Sequence, residues 1–273
     1  MNTNNNVYTV IYTTIVVVLV AAILAFVSQK LRPMQAANQK AETISQILTA
    51  ARFEDFGSTN AEKIDFFKKN ISEVILVNAD GQKVGELDCK DAEIYSTADL
   101  KAQNYNVKDE AKSGDLKIPM YRFSNGITVV PIYGAGLWGP IWGYIAVESD
   151  LTTVAGAYFD HESETPGLGG KIKDDPSFRA QFAGKKIDFS DDAPLSIIKG
   201  GVPAGKKNAV DAITGATMTS KGLSAAIVAW MNAFKPAFSA AAPSCACNCC
   251  NGECGQNEAE ENNESNDNIN TEE

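Results

Sequence analysis

Apolar positions fall into three patterns along the chain. Residues 7–27 are 21 positions without a charged side chain. As a helix, such a run covers about 31 Å, against a hydrocarbon core of about 30 Å, so it predicts a transmembrane span. A signal peptide is the weaker alternative, because the run is long, no Lys or Arg precedes it and no Ala-x-Ala site follows. Far downstream, Leu223, Ala226, Ile227, Trp230, Met231 and Phe234 recur at i, i+3, i+4, i+7, i+8 and i+11, one apolar face of a helix.

Short segments of mixed period lie between them. A second helix is expected after the span, with Pro33 in its first turn, where a missing N–H is tolerated, and Met34, Ala37, Ala41, Ile44 and Leu48 along one side. A helix over 60–71 is followed by a strand over 74–77, which turns at Asp80 and Gly81 into 82–84. Residues 88–117 read as charged and irregular. Strands over 121–123 and 127–132 flank Ser124, Asn125 and Gly126, and 144–147 is a further strand. A short helix over 175–182 and a strand over 195–198 precede the last helix. The fold class is therefore α+β, one N-terminal transmembrane helix leading into a mixed α/β domain. The expected divisions are a polar start over 1–6, the span over 7–27, a helical linker with an α+β subdomain over 28–119, a ligand-binding domain over 120–236, and a tail over 237–273.

Charge sharpens these divisions. The formal net charge is −10, and the tail holds eight acidic residues with no Lys or Arg, so the rest is nearly neutral. No basic patch supports nucleic-acid binding. His161 is the one histidine, which removes His-based metal clusters and Ser-His-Asp triads from consideration. The acidic, Asn-rich end of the tail has little to bury and is expected to be disordered. Ahead of it, Cys245, Cys247, Cys249, Cys250 and Cys254 offer thiols for zinc, copper or an iron–sulfur cluster, or for disulfides in an oxidising compartment. Their spacing does not match a zinc ribbon. Cys89 stands alone and reads as a bystander. The span contains no Asp, Glu, Lys, Arg or His to conduct an ion. Thr9 and Thr13 share a face and could meet a neighbouring helix.

Three segments carry candidate chemistry. In residues 134–143, four glycines mix with Trp138 and Trp142. This suits either close approach of a flat ligand or a loop whose tryptophans plug the core. In residues 161–170, Pro166 fixes φ while Gly167, Gly169 and Gly170 permit unusual backbone, giving a rigid loop with exposed N–H groups. His161 and Glu162 read as surface residues. The third segment opens the last helix: Asp211, Thr214, Gly215, Ala216, Thr217, Met218, Thr219 and Ser220. Its N–H groups and dipole suit an anion, small residues let a phosphate approach, and the hydroxyls can bind one, be esterified by one or simply cap the helix.

The spacing Asp211, Thr214, Gly215, Ala216, Thr217 resembles the flavinylation motif of membrane-bound electron-transfer proteins. Four further stretches occur in the same order: the apolar start; Leu31, Arg32, Pro33, Met34, Gln35 and Asn38; Gly136, Leu137, Trp138, Gly139 and Pro140; and Glu164, Thr165, Pro166, Gly167, Leu168 and Gly169. On these the chain resembles the NqrC family, the C subunits of sodium-translocating NADH:quinone oxidoreductases. The G subunit of Rnf-type complexes is the nearest alternative, and a non-redox anchored binding module is an alternative of another class. The resemblance implies FMN held by a phosphoester to Thr217, with Thr219 as runner-up. Further cofactor contacts are implied at Asp211, Thr214, Gly215, Ala216, Met218, Trp138, Glu164, Thr165, Gly167, Leu168 and Gly169. It implies no catalytic residue, since a separate flavin transferase attaches the FMN. It also implies partner subunits in a bacterial inner membrane and a flavin domain on the outer, periplasmic face. Lys30, Arg32 and Lys40 follow the span, and the positive-inside bias points the other way.

Overall fold

A computed structural model of the chain describes residues 6–109 and 114–241. The first helix, α1 (Asn6–Ala50), is continuous and carries Pro33 in its interior. The expected break at Pro33 is therefore absent. A proline removes one rung of the hydrogen-bond ladder, and the long helical runs on either side carry α1 through it. Its side chains are exposed as far as Gln39, apart from half-buried Tyr8, and become buried from Ala41 onward. It is the one helix among the described residues long and apolar enough to cross a membrane. The Thr13 hydroxyl donates to the Thr9 and Val10 carbonyls, and Thr14 donates to Val10, so these hydroxyls are satisfied within their own helix.

A helix α2 (Asn60–Asn70) opens with a capping box between Thr59 and Glu62 and runs into β1 (Ile71–Val77). The Asp80–Gly81 turn, with Gly81 at φ 75°, then leads to β2 (Lys83–Leu87). The stretch expected to be irregular contains α3 (Thr97–Lys108), started by a second capping box between Ser96 and Asp99. Its apolar content is low, which leaves no helical period to find, but the cap was readable.

Four strands follow: β3 (Ile118–Phe123), β4 (Thr128–Ala135), β5 (Pro140–Val147) and β6 (Val154–His161). With the first two they form an antiparallel sheet of order β2-β1-β3-β4-β5-β6, so strands from both sides of residue 119 share one sheet. Most of the glycine-rich 134–143 stretch is regular hairpin, and only the turn between Gly136 and Gly139 is not. The glycines fit strands here because neighbours press on them: a Cβ on Gly134 would lie 2.6 Å from Ala226 Cβ, and one on Gly143 would strike Phe159. In β6, likewise unforeseen, a Cβ on Gly156 would lie 2.5 Å from the carbonyl oxygen of Ala50 at the end of α1.

The short helices α4 (Lys171–Asp174) and α5 (Pro176–Ala180) lead to a parallel pair, β7 (Ser196–Ile198) and β8 (Ala209–Asp211). The last helix, α6 (Thr217–Ala241), lies over β4 and buries the foreseen face: Leu223, Ala226, Ile227, Trp230, Met231 and Phe234. The sheet thus separates two cores. One packs α6 and the last short elements; the other packs the C-terminal part of α1 with Phe67, Tyr121 and Tyr144. Trp230 Nε1 donates to the Tyr133 carbonyl at 2.9 Å and to Asn104 of α3 at 3.2 Å, locking the body of α6 to the sheet.

Candidate functional site

The strand β8 ends at Asp211, and six residues later α6 begins. Gly215 turns the chain at φ 84°, a left-handed conformation that side chains disfavour. Ala216 N–H donates to Ile213 O at 3.1 Å, and Ser220 Oγ accepts from Ile213 N–H at 3.2 Å, closing the turn from inside. The first rung of the helical ladder is Ser220 N–H to Ala216 O. The N–H groups of Thr217, Met218 and Thr219 find no acceptor among the described residues and remain available to an anion.

The two threonines of that first turn differ sharply. Thr219 is 1% exposed, and its hydroxyl donates to Glu164 Oε2 at 2.6 Å. Thr217 is half-buried, and its hydroxyl has no hydrogen-bond partner among the described residues. Glu164 itself is 4% exposed, and its other oxygen accepts the Trp138 N–H at 2.9 Å. One carboxylate therefore joins three segments: the β4–β5 turn, the 162–170 loop and α6. The glycines beside it make room, since a Cβ on Gly136 or on Gly169 would strike the carboxylate.

Around Thr217 the surface is apolar and open. Trp138 is 66% exposed, Met218 57%, Leu137 52% and Leu168 46%. Leu168 leans over the helix start, its Cδ2 lying 3.0 Å from the place a Cβ on Gly215 would take. Large apolar side chains at one rim, beside free N–H groups and a free hydroxyl, fit a ligand with a flat ring at one end and a phosphate at the other.

Of the expected contacts, Trp138, Glu164, Leu168, Gly169, Gly215, Met218 and Thr219 are brought together with Thr217. Ala216 is buried beneath the turn. Thr214 and Thr165 are exposed, and Gly167 bends the loop at φ 75° in open space. The Asp211 side chain is engaged by the neighbouring loop: its Oδ1 accepts the Val202 N–H at 2.7 Å and holds the 199–205 loop. Trp142 is half-buried and packs against both cores, with Nε1 donating to the Gln46 side chain at 3.2 Å, whereas Trp138 stays exposed.

His161 plays a part that its sequence position did not reveal. Its Nδ1 accepts the Glu164 N–H at 3.1 Å and supports the loop from behind. Ser163 Oγ likewise donates to the Trp138 carbonyl at 3.0 Å. Cys89 is half-buried, and burial pushes its thiol pKa up, away from reactivity. The five tail cysteines lie outside the described residues.

A family model described as an FMN-binding domain matches residues 136–232, which hold the turn, the loop and most of α6. The Na(+)-translocating NADH-quinone reductase C subunit of Vibrio anguillarum is 31% identical over 214 residues, 74% of this chain and 80% of its own. The crystal structure of the same reductase's C subunit from Parabacteroides distasonis superposes with a TM-score of 0.62 at 30% identity, covering 77% of this chain and 97% of that one. Shewanella oneidensis NqrC does so with 0.59 at 28% identity, over 75% and 98%.

Proposed function

The chain belongs to the NqrC family, the C subunits of the Na(+)-translocating NADH-quinone reductases, and is an FMN-binding protein, and on that premise we propose that it carries its FMN as a phosphoester on Thr217. What supports this choice is the contrast within one helical turn: the Thr219 hydroxyl is buried and committed to Glu164, while the Thr217 hydroxyl stands free at the apolar rim.

In this arrangement the first-turn N–H groups of α6 hold the phosphate, Gly215 lets it approach, and Trp138, Leu168 and Met218 orient the ring and keep water from one side of it. FMN supplies the chemistry of accepting and donating electrons, and the chain supplies position. Esterification removes water between the threonine hydroxyl and the phosphate. The carboxylate at this helix start, Glu164, is committed to Trp138 and Thr219 rather than to Thr217, so a separate flavin transferase performs the step. Asp211, exposed one strand away, belongs to the surface that such an enzyme would read.

The apolar part of α1 anchors the protein in a bacterial inner membrane, beside the other subunits of the reductase. The twelve exposed residues from 28 to 39 form a stalk about 18 Å long that stands the domain off the bilayer. The domain sits on the outer face, and a covalent tether there prevents loss of the cofactor. Alkaline phosphatase fused after α6 is expected to be active in cells; an inactive fusion would reverse the orientation.

Attachment is tested by in-gel fluorescence of the full chain expressed with its transferase and run under denaturing conditions. The wild-type band is expected to fluoresce and Thr217→Ala to be dark. Fluorescence persisting in that variant would move the ester to Thr219.

A further inference from the structure

We propose that Glu164 does not touch the flavin as a ligand but is the positioning residue of its cradle, its two oxygens fixing the Trp138 turn against the first turn of α6. Each oxygen has one donor: Trp138 N–H on Oε1 at 2.9 Å, and Thr219 Oγ on Oε2 at 2.6 Å. Both bonds are charge-assisted, and the side chain that makes them is 4% exposed. No Lys, Arg or His forms an ion pair with it among the described residues. A buried carboxylate held by two neutral donors is costly to install unless it fixes a geometry.

The surroundings are built for that carboxylate. Gly136 lies against Oε1 and Gly169 against Oε2, and a methyl group at either glycine would displace the carboxylate. From behind, His161 Nδ1 accepts the Glu164 N–H at 3.1 Å and fixes the backbone. Among the described residues the other hydrogen bond to Trp138 comes from Ser163 Oγ onto its carbonyl, and its ring is 66% exposed. Leu168 is four residues beyond Glu164 on the same loop. The carboxylate therefore sets the distance between the two large side chains on the rim and the Thr217 hydroxyl. Thr219 serves as the post to which the clamp is tied, which also withdraws its hydroxyl from esterification.

The inference rests on FMN being attached at Thr217, and the test separates the two. The full chain is produced with its flavin transferase, attachment is read by peptide mass, and ring position is read by the flavin's visible spectrum and fluorescence. An indole beside the ring quenches that fluorescence in the wild type. Glu164→Ala is expected to keep the FMN mass on its peptide while fluorescence rises several-fold and the fine structure of the visible band is lost. Glu164→Gln is expected to restore the wild-type spectrum, because the amide oxygen can accept from Trp138 and the amide N–H can donate to Thr219. Gly169→Ala, whose Cβ would press on both the carboxylate and the Thr219 hydroxyl bonded to it and so open the clamp without removing either, should match Glu164→Ala and stands in for it if that variant fails to fold. Wild-type spectra in Glu164→Ala or Gly169→Ala chains that carry FMN would overturn the proposal. So would a Gln variant that behaves like Ala, since charge alone would then matter. A wild-type peptide of bare mass would instead remove the FMN attachment on which the proposal stands.

Discussion

The first turn of α6 and its body are parts of one helix with opposite fates. In the body, Trp230, Phe234 and Leu223 are fully buried against the sheet, and even the indole N–H of Trp230 has two acceptors. At the mouth, Met218 is exposed, and so are Leu137, Trp138 and Leu168 on the two segments that Glu164 ties to it. The body uses its apolar surface to hold the domain together, whereas the mouth leaves apolar surface for something else. Isolated exposed apolar residues are ordinary on proteins; four gathered at a helix start with free N–H groups are a binding surface.

If that division is right, substitutions at the two places act on different observables. The largest effect is expected from Thr217→Ala, with complete loss of covalent flavin and a stability change within about 0.5 kcal/mol, since its side chain supports nothing else. Denaturant melts of the flavin-free forms of both proteins check this. Trp230→Ala is expected to do the reverse, losing about 3–5 kcal/mol of stability while the folded fraction still takes FMN. A Trp230 variant that melts like the wild type would mean that the body of α6 is not what holds the sheet.

Glu164 lies between the two cases. Glu164→Ala leaves the Trp138 N–H and the Thr219 hydroxyl without an acceptor and is expected to cost about 1–3 kcal/mol, measured in the same melts. Glu164→Gln, which keeps both bonds, should recover most of that loss.

The smallest effect concerns acid. The Asn208 amide beside Asp191, with the Ala193 N–H and Lys206, holds the Asp191 carboxyl below the usual range. The Ser177 hydroxyl does the same to Asp175, and Ser190 to Asp188. A carboxyl whose folded pKa is depressed adds stability above its unfolded value, near about 3.9, and loses it as pH falls through the folded value. Stability should therefore decline below about pH 4, and Asp191→Asn should flatten that decline. Flavin attachment should show no such dependence, because none of these carboxyls is at the mouth of α6.

The same division explains what the sequence made legible. The face of α6 was plain, because core packing imposes a helical period that nothing else produces. The apolar span was equally plain from its length. Obscured were the places where elements press together: the glycines at 134 and 143 read as part of a loop and instead mark strands pressed by Ala226 and Phe159, and Gly156, under the end of α1, gave no sign of its strand. α3 was missed because its helix is polar, although Ser96 and Asp99 announced it. At the site, the Thr motif and both glycine-rich loops could be picked out as separate strings. That Glu164 ties them together depends on contacts between residues far apart in sequence, and that Asp211 binds Val202 depends on how the loop between them closes. Spacing gives Thr217 and Thr219 equal standing as hydroxyls near a helix start, and only burial separates them.

The sharpest measurement is the mass of the tryptic peptide spanning residues 208–221, taken from the full chain isolated with its membrane complex, unfolded and digested. It is expected to be heavier by one FMN less water, with fragment ions placing the addition on Thr217. A peptide at its bare mass, or one modified at Thr219, would contradict attachment at Thr217.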